Sequence, residues 1–599
     1  MSAPITPARA APRAFVLGDD MRWRFPGRID LTCLAIIAAV IAIPLRGLYA
    51  STGSTMEEGF MLVFPERLVA GDVPNVDFLH LYGPASLDVL AGWYGLFGHS
   101  LASERTFGLL QHVGIIFAVY ALTRAWGHIA ATACAVACTL LVLTPIGLSA
   151  LGWEGGVALG LWSVVFAARS YNIAQRQAGQ NERGPQQHSS ERRNLVIAGL
   201  LAGLALCFRP DLIIALGLAH GWLLVRRREW RGFAAGVGIG VIPFVVHLFR
   251  AGISASVRGM VLDPVFYLRP GRELPRPPSW SVIDGALQAV AEGPPPWWHL
   301  PAISASHQLF FWFFLMLIVA VFNVIVALIA LRRGRHQFRA ITLMVGSLFG
   351  LGLVPQGLQR PDSTHLAWAT CIGFALLPVS FIELAEGRLT KLSPRPRAVL
   401  AGSMVFVLFF AVCPFFTYRS YLLQTRVAVG NKPVPFEVQR NGRQFWMGEY
   451  HAAKASNDLI SDLAKMSKPG ERLLVGPADL SRTIYSDVMF YYMFPELKPA
   501  TYFIEMDPGL ADKEGSSLAA DVQSADWVVL SNLWTGWKEP NASSRHGSQA
   551  PNRVVADHFC LVGQYEKGLM LLYHRCAKGD GISPADIGEP SARQRAAGG

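Results

Sequence analysis

The sequence predicts a polytopic α-helical membrane protein with a small α/β domain after its last spanning helix. Of the 599 residues, 52% are hydrophobic and only 16% are charged, which is more apolar surface than a soluble core of this length would bury. Apolar runs of about 20 residues, long enough to cross a bilayer, recur along the first two thirds of the chain. From Lys468 onward, four short runs are predicted to be strands, residues 472–477, 500–506, 526–531 and 570–574. They alternate with turns and helix-compatible stretches, which indicates the α/β domain.

About eleven segments meet the length and hydropathy of a membrane span. They lie near residues 31–50, 105–123, 127–147, 152–168, 194–208, 211–225, 233–250, 308–331, 340–356, 366–385 and 397–416. Basic loops mark the cytoplasmic side of a membrane protein. Eleven crossings from a cytoplasmic N-terminus put every arginine-rich loop on that side, namely 169–193, 226–231, 332–339 and 388–397.

The stretch Pro84–Phe97 is apolar but short, and it contains Asp88. If it crossed the bilayer, every later arginine cluster would change sides, so we expect a helix that lies in or dips into the outer interface. The same count of crossings requires a real break between two spans at Phe208–Asp211. Pro210 is consistent with that break.

This topology predicts the domain organisation. The predicted parts are a cytoplasmic segment (1–29), a transmembrane domain (30–416) with outer loops 51–105 and 251–307, an extracytoplasmic α/β domain (417–578) and a disordered tail (579–599). The net charge of +11 does not indicate nucleic-acid binding, because the arginines lie in short clusters between apolar runs. We expect a multi-pass protein of the bacterial plasma (inner) membrane whose partner is membrane lipid.

The cysteines predict at most one disulfide bridge. Six lie in apolar segments, where a thiol packs as a small hydrophobic group; they are Cys33, Cys134, Cys138, Cys207, Cys371 and Cys413. Cys560 and Cys576 flank a strand-like stretch in the domain predicted to lie outside the cytoplasm, where a bridge can form. This spacing leaves open either a bridge across a hairpin or two free thiols.

The first outer loop carries the leading candidates for catalysis. Glu57 and Glu58 follow the first span and head an amphipathic segment, so they are expected at the boundary between lipid and water. Partial desolvation raises the pKa of such a carboxyl and makes it a competent proton acceptor near neutral pH. On spacing alone, the alternative is an acid pair that stabilises the start of the helix Gly59–Ala70 through the helix dipole.

The same loop contains a longer pattern. The pattern begins with two acids and a Gly, and an amphipathic helix follows. Next come the short motifs Ala-Gly-Asp, Val-Pro, Asp-Phe and Tyr-Gly-Pro. The pattern ends with Leu-Phe-Gly and a downstream Glu-Arg. It resembles the first periplasmic loop of the GT-C glycosyltransferases. These are polytopic enzymes with a polyprenyl-phosphate sugar donor, and they include protein mannosyltransferases, the lipid A aminoarabinose transferase and mycobacterial arabinosyltransferases. Their usual acid pair is Asp-Glu, whereas this chain has Glu-Glu.

The resemblance implies a GT-C-like fold and a transfer reaction. The donor would be a polyprenyl-phosphate-linked sugar, and the acceptor an envelope glycan, lipid or protein at the outer face. By motif position the family's catalytic aspartate falls on Glu57, with Glu58 as the second candidate for the base. Asp77, His80 and Tyr82 of the same loop are expected to bind substrate. A divalent cation is left open as a cofactor.

Two short outer turns carry charges suited to the donor phosphate. The first holds Arg360, Asp362 and His365; arginine grips a phosphate well, and the other two would orient it or bind a metal. The alternative is a solvated loop whose charges reach water. The second turn holds Arg209, either in the same cavity or in an ion pair with Asp211 that only fastens the hairpin.

The second outer loop and the C-terminal domain are expected to set specificity. In that loop Tyr267 and Arg269 are the candidate substrate-binding residues. The main rival function is a transporter or lipid flippase, which predicts functional ionisable residues spread along the spanning helices, whereas most candidates here gather on one side. A third reading is a noncatalytic scaffold of the same fold, which only a measurement of activity separates from an enzyme.

Overall fold

Long helices make up most of the chain before Ala428, and a mixed β-sheet follows. The computed structural model describes residues 16–17, 23–24, 27–178, 185–226, 230–285, 304–334, 336–386, 394–413 and 415–576. The predicted N-terminal segment 1–29 lies almost wholly outside these ranges. The predicted tail 579–599 lies entirely outside them.

The helices of the first part alternate long apolar elements with short ones. Up to the second outer loop they are α1 (Arg28–Ala42), α2 (Leu45–Tyr49), α3 (Glu57–Val69), α4 (Pro84–Phe97), α5 (Leu101–Thr123), α6 (His128–Ile146), α7 (Gly152–Ala178), α8 (Pro185–Phe208), α9 (Ile213–Arg226), α10 (Arg231–Gly240) and α11 (Ile242–Ala251). They continue with α12 (Ile253–Val257), a π-helical stretch (Arg258–Leu268), α13 (Arg269–Arg272), α14 (Ala305–Arg333), α15 (Gln337–Gln359), α16 (Ser363–Ala375), α17 (Leu377–Ala385), α18 (Pro394–Val412) and α19 (Ser420–Ala428).

Seven helical segments of the described chain are long and apolar enough to cross a membrane. They are Arg28–Tyr49, Leu101–Trp126, His128–Ile146, Arg231–Ala251, Ala305–Arg333, Gln337–Gln359 and Ser363–Ala385. Every predicted span falls on one or two helices, so the chain is a multi-pass α-helical membrane protein. Helices α7 and α8 extend past their apolar stretches, so the predicted loop 174–193 is partly helical, and residues 179–184 lie outside the described ones. The number of crossings and their orientation stay predictions.

The outward face of α14 is suited to lipid. Its exposed large side chains recur in steps of three and four residues, and include Phe311, Phe314, Ile318, Val321, Ile325 and Leu328. Such spacing keeps them on one side of the helix, while the opposite side is buried in the protein. An apolar solvent such as the bilayer interior is what makes this exposed stripe stable.

Helices α8 and α10 approach each other backbone to backbone through two pairs of glycines. Gly199 and Gly203 of α8 lie against Gly236 and Gly240 of α10. A Cβ atom at Gly199 would lie 2.0 Å from the carbonyl oxygen of Phe233. Small residues four positions apart permit such close packing, which is typical of helix pairs in membranes.

Two local predictions about the course of the chain are confirmed. The apolar stretch Pro84–Phe97 forms the single helix α4 with those bounds. Between α8 and α9 the backbone of Arg209 is extended, and one turn of 3-10 helix, Pro210–Leu212, precedes the next helix. The interfacial position of α4 stays a prediction.

The C-terminal domain contains a five-stranded mixed sheet in the order β6–β5–β7–β9–β8. Its strands are β5 (Arg472–Pro477), β6 (Lys498–Pro499), β7 (Trp527–Ser531), β8 (Phe559–Tyr565) and β9 (Met570–Arg575). The hairpin β3 (Phe436–Arg440) and β4 (Arg443–Met447) precedes it, and β1 (Val16–Leu17) pairs with β2 (Trp23–Arg24) near the N-terminus. Four helices complete the domain, α20 (Tyr450–Met466), α21 (Met489–Met493), α22 (Leu518–Ser524) and α23 (Ala550–His558).

Three of the four predicted strands exist, as β5, β7 and β9. The prediction for residues 500–506 is wrong, because this run folds as turns and Met506 has a left-handed backbone with φ 53°. Cys560 and Cys576 form a disulfide bridge across β8 and β9, with their Cα atoms 5.2 Å apart. The other six cysteines are free and buried.

Helix α3 joins the helical part to the C-terminal domain. The backbone N–H of Met489 donates to the carbonyl of Thr55 (3.1 Å), and the N–H of Gly53 donates to the carbonyl of Trp446 (2.8 Å). A Cβ atom at Gly59 would lie 2.9 Å from the backbone nitrogen of Met489. The start of α3, which carries both candidate acids, is therefore held between the two parts.

Candidate functional site

The start of α3 is fixed by Ser54. Its hydroxyl accepts the backbone N–H of Glu57 at 3.1 Å and donates to the Glu57 carboxylate. Its own N–H donates to Oε2 of Glu58 at 3.1 Å. This local pattern is close to a capping box, which the Ser-x-x-Glu spacing of the sequence encodes. The two acids leave the helix start in different directions because successive helix residues are rotated by about 100°.

Glu58 is engaged in a buried ion pair. Its two carboxylate oxygens accept hydrogen bonds from Nε and Nη2 of Arg105 at 2.7 and 2.9 Å. The third guanidinium nitrogen donates to backbone carbonyls at the end of the first helical hairpin, including that of Tyr49 at 2.7 Å. Glu58 is 4% exposed and Arg105 1% exposed. These hydrogen bonds occupy both oxygens of Glu58 and all three nitrogens of Arg105, and they connect α3 to α5. Glu58 therefore has little capacity left to accept a proton from a substrate.

Glu57 is in a different environment. It keeps partial solvent access, yet its carboxyl is deep enough in the protein that burial dominates its ionisation. Burial raises the pKa of Glu57, and Arg272 and Arg360 offset part of this rise by stabilising the carboxylate. Apart from the Ser54 hydroxyl, no direct hydrogen-bond donor reaches its side chain among the described residues. A partly accessible carboxyl with a raised pKa is suited to accept a proton.

Arg272 is the arginine whose charge acts most strongly on the Glu57 carboxyl. Its Nη2 donates to Oδ1 of Asp507 at 2.6 Å and lies 3.9 Å from the sulfur of Met56. In the described chain Nε and Nη1 have no hydrogen-bond partner, and a quarter of the side chain is exposed. Arg272 therefore interacts with Glu57 and keeps two donor nitrogens free to bind a ligand.

The turn predicted to hold the donor phosphate is a closed network. Nε of Arg360 donates to Asp362 at 2.7 Å, and both Nη atoms donate to Glu539 of the C-terminal domain at 2.8 and 2.5 Å. Asp362 also accepts from the backbone and ring of His365 at 2.9 and 2.8 Å. Burial would raise the pKa of Asp362, but His365 and Arg360 hold it below its ordinary value. The fork of Arg360 is thus already occupied by a carboxylate.

Tyr82 and Arg209 are in contact with each other, and Tyr82 interacts with the charges that surround Glu57. The guanidinium of Arg209 lies 4.7 Å from the centre of the Tyr82 ring and donates to Asp211 at 2.9 Å, so the ion pair of the second alternative is present, and the role of Arg209 at the donor phosphate stays a prediction. Gly83 makes the contact between Tyr82 and Arg209 possible, because its N–H donates to the carbonyl of Phe208 and a Cβ there would lie 2.0 Å from the backbone of the adjoining residue. Burial raises the pKa of Tyr82, whose hydroxyl interacts electrostatically with Glu57 and the surrounding charges.

The remaining predicted residues lie at the margin of this arrangement or outside it. Asp77 is exposed and accepts the N–H of Val73 at 2.7 Å, which closes a turn. His80 is buried against Tyr82 and has no hydrogen-bond partner for its ring nitrogens. Tyr267 and Arg269 are exposed, and no contact brings either to Glu57. The substrate roles of these four residues stay predictions.

Several residues of the site are not among the sequence predictions. Arg272 lies one helical turn after the predicted Arg269, in the same short helix α13. The C-terminal domain contributes Asp507, Glu539 and Tyr485, and no local pattern in the sequence singles them out. Burial raises the pKa of Tyr485, whose interacting charges are led by Arg360 and include Glu57.

The described residues contain no group of three or more His, Cys, Asp or Glu side chains arranged to hold a metal ion. Glu505 and Asp507 come nearest, because each is buried and has one carboxylate oxygen without a hydrogen-bond partner. Arg272 already neutralises part of this negative charge through Asp507. A divalent cation stays a prediction.

Comparison with known proteins gives matches among solved structures. The chain is similar to ArnT from Cupriavidus metallidurans, both bound to undecaprenyl phosphate (14% identity, TM-score 0.46, 91% of this chain and 98% of that one) and in the apo state (14%, 0.45, 92% and 98%). It is also similar to the Archaeoglobus fulgidus oligosaccharyltransferase in complex with Zn and sulfate (11%, 0.40, 90% and 73%).

No protein-family model and no curated protein matches the chain. At these identities and TM-scores the matches assign no residue, so the roles proposed below rest on the contacts of this chain alone.

Proposed function

We propose that the chain is a glycosyltransferase that moves a sugar from a polyprenyl-phosphate donor to a cell-envelope acceptor at the outer face of the plasma membrane. Glu57 is the catalytic base of this proposal. The supporting observation is the contrast between a partly accessible acid with few partners and the free donors of Arg272 beside it. The reaction requires a proton acceptor and an anion-binding group close together, and the electrostatic interaction between Glu57 and Arg272 supports this.

In the proposed reaction the acceptor hydroxyl gives its proton to Glu57 as its oxygen attacks the anomeric carbon of the donor sugar. A new C–O bond forms while the bond from that carbon to the phosphate oxygen breaks. The polyprenyl phosphate leaves with the bonding electrons and gains negative charge. Arg272 stabilises that charge with its free Nε and Nη1 donors, and Arg209, which contacts Tyr82, assists.

This proposal gives Arg360 a positioning role. Its Nη atoms reach a phosphate only if Glu539 leaves, whereas those of Arg272 are available in the structure as it stands. Arg360 instead holds Asp362 and, through it, His365 at the edge of the cavity. Removing one partner of a buried ion pair strongly destabilises the folded protein, so this network is suited to a structural role.

The outer-face location is supported by two independent features. The arginine-rich loops fall on one side under the predicted topology. The bridge between Cys560 and Cys576 is of a kind that persists in oxidising compartments. Both features fit a C-terminal domain outside the cytoplasm.

The test uses purified full-length protein in lipid nanodiscs with radiolabelled polyprenyl-phosphate sugars. Release of the polyprenyl phosphate is compared for wild type, Glu57→Gln and the charge-matched control Glu437→Gln, whose carboxylate lies on the exposed strand β3. We expect Glu57→Gln to lower kcat about 10²–10⁴-fold, the usual contribution of a general base, and the control to keep wild-type activity.

Two results would contradict the proposal. Transfer at an undiminished rate by Glu57→Gln would remove the base. A wild-type protein that turns over no donor would favour the noncatalytic scaffold. Circular dichroism and thermal unfolding of each variant separate a chemical defect from a folding defect.

A further inference from the structure

Three aromatic rings of the C-terminal domain pack together in a cluster beside the site. We call Tyr485, Trp534 and Trp537 the aromatic shelf. The ring centre of Tyr485 lies 5.3 Å from that of Trp534 and 6.3 Å from that of Trp537, and the two tryptophans are 5.2 Å apart. Both tryptophans are partly exposed, whereas Tyr485 is buried. The shelf therefore has a covered end and an open end.

The covered end lies at the catalytic cavity. Tyr485 interacts electrostatically with Arg360, Glu539, Glu57 and Arg272, so its hydroxyl lies among the charges of the site. Glu539 follows Trp537 by two residues, which limits their Cα atoms to a separation of about 7 Å. Since Glu539 is bonded to Arg360 through both oxygens, the open end is attached to the same cavity.

Polar contacts hold the rings in fixed positions. Nε1 of Trp534 donates to Oδ1 of Asp487 at 3.1 Å, and the carbonyl of Trp537 accepts from Arg482 at 3.2 Å. The segment that carries both tryptophans connects β7 to α23 and is longer than most connections in compact domains. Long connections of this type are commonly functional. A long loop with anchored, partly exposed aromatic rings is suited to binding.

The chemistry of the shelf favours a carbohydrate. Aromatic faces offer flat apolar surface, which matches the C–H faces of a pyranose or furanose ring. Thr535 and Lys538, which are exposed next to the two tryptophans, can form hydrogen bonds with sugar hydroxyls. A lipid chain would instead need a continuous apolar groove, and the neighbouring Thr535 and Lys538 are exposed and polar.

We propose that the aromatic shelf binds a carbohydrate acceptor and directs its hydroxyl to Glu57, so that the acceptor is a glycan rather than a protein or a simple lipid. This inference rests on the proposed glycosyltransferase function, which it extends from the donor to the acceptor. Trp537 and Trp534 bind the sugar units next to the one that reacts. The reacting unit lies beyond Tyr485, beside Glu57.

Binding is tested first without catalysis. Neutral soluble oligosaccharides of about four to six units, derived from glucan, mannan, galactan and arabinan, are titrated onto the full-length protein in nanodiscs by calorimetry. We expect one of these classes to bind, and Trp534→Ala and Trp537→Ala to weaken that binding about tenfold, or about 1.4 kcal/mol. The control is Trp230→Ala, an exposed tryptophan in the predicted cytoplasmic loop 226–231.

The second test measures the partition of the donor between acceptor and water. We expect the ratio of glycan transfer to donor hydrolysis to fall about tenfold in both tryptophan variants, and Trp537→Phe to retain most of it. A misfolded protein would lose both reactions together and leave the ratio unchanged. The ratio therefore reports on acceptor binding alone.

The outcomes distinguish this inference from the function on which it rests. If wild type turns over no donor, the proposed function fails. If donor is turned over but no oligosaccharide binds, or the tryptophan variants keep the wild-type ratio, the shelf has no role in acceptor binding. Saturable transfer to a serine-containing peptide or a phospholipid that does not depend on either tryptophan would also overturn it.

Discussion

Glu57 and Glu58 are neighbouring carboxyl groups at the start of α3, but they lie on different faces of the helix and in different surroundings. On one face, both carboxylate oxygens of Glu58 accept hydrogen bonds, two from Arg105 and one from the backbone N–H of Ser54. On the other, Glu57 has one hydroxyl donor and two arginines at a distance. Both acids are charged residues at the edge of the helical part. Only one retains the capacity to react, because bonded lone pairs are unavailable to a substrate proton.

The two arginines of the cavity repeat this contrast. Arg360 has its Nε and both Nη atoms bonded to carboxylates, whereas Arg272 has two donor nitrogens free. A fully paired buried ion pair supports structure, and an underpaired group is held ready for a ligand. The predictions below break one side of this contrast at a time.

The largest effect is expected for Arg105→Met. It leaves the buried Glu58 carboxylate unpaired, so we expect a loss of about 3–5 kcal/mol in the free energy of unfolding. The measurement is thermal and urea unfolding in detergent micelles. The matched control is Arg67→Met, which breaks an ion pair with the half-exposed Asp72 and is expected to cost at most about 1 kcal/mol.

A double variant refines this first prediction. Replacing Glu58 with Leu in the Arg105→Met background removes the unpaired charge, so part of the lost stability is expected to return. Equal stability of the single variant and wild type would mean that the pair does not hold α3 to α5.

An intermediate effect is expected for Glu539→Gln. The change removes the charge that holds the loop 532–549 to Arg360, and hydrogen bonds to charged groups contribute about 2 kcal/mol. We expect amide hydrogen exchange in that loop to accelerate about thirtyfold. Glu566→Gln breaks an exposed pair with Lys454 in the same domain and is expected to leave the loop unchanged. Unaltered exchange in Glu539→Gln would show that other contacts hold the loop.

The smallest effect is a shift in the pH dependence of kcat/KM. Glu57 acts as a base only when deprotonated, so the rate is expected to fall as the pH drops through its raised pKa. Arg272 stabilises the carboxylate, so Arg272→Gln is expected to raise that pKa further and move this limb to higher pH. The measurement is initial rates from pH 4 to 9, roughly the range that a carboxyl of raised pKa spans. An acidic limb that moves to lower pH, or does not move, contradicts the assigned interaction.

Hydropathy and charge predicted much of the architecture. The predicted spans fall on helices, the break at Arg209 is present, and α4 has the bounds read from the apolar stretch. These features depend on residues close together in the chain, and so does the hairpin that brings Cys560 to Cys576. The strand prediction at residues 500–506 failed because alternation of side chains does not reveal a left-handed backbone at Met506.

The sequence by itself determined the apolar segments, their orientation signals and the pair of acids at the head of α3, because each is a property of a short local window. Tertiary structure alone decided which acid is free. Arg105 lies 47 residues from Glu58, and Glu539 lies 179 residues from Arg360. Partners so distant are chosen by the packing of helices against the C-terminal domain, and that packing leaves Glu57 and Arg272 underpaired and interacting with each other.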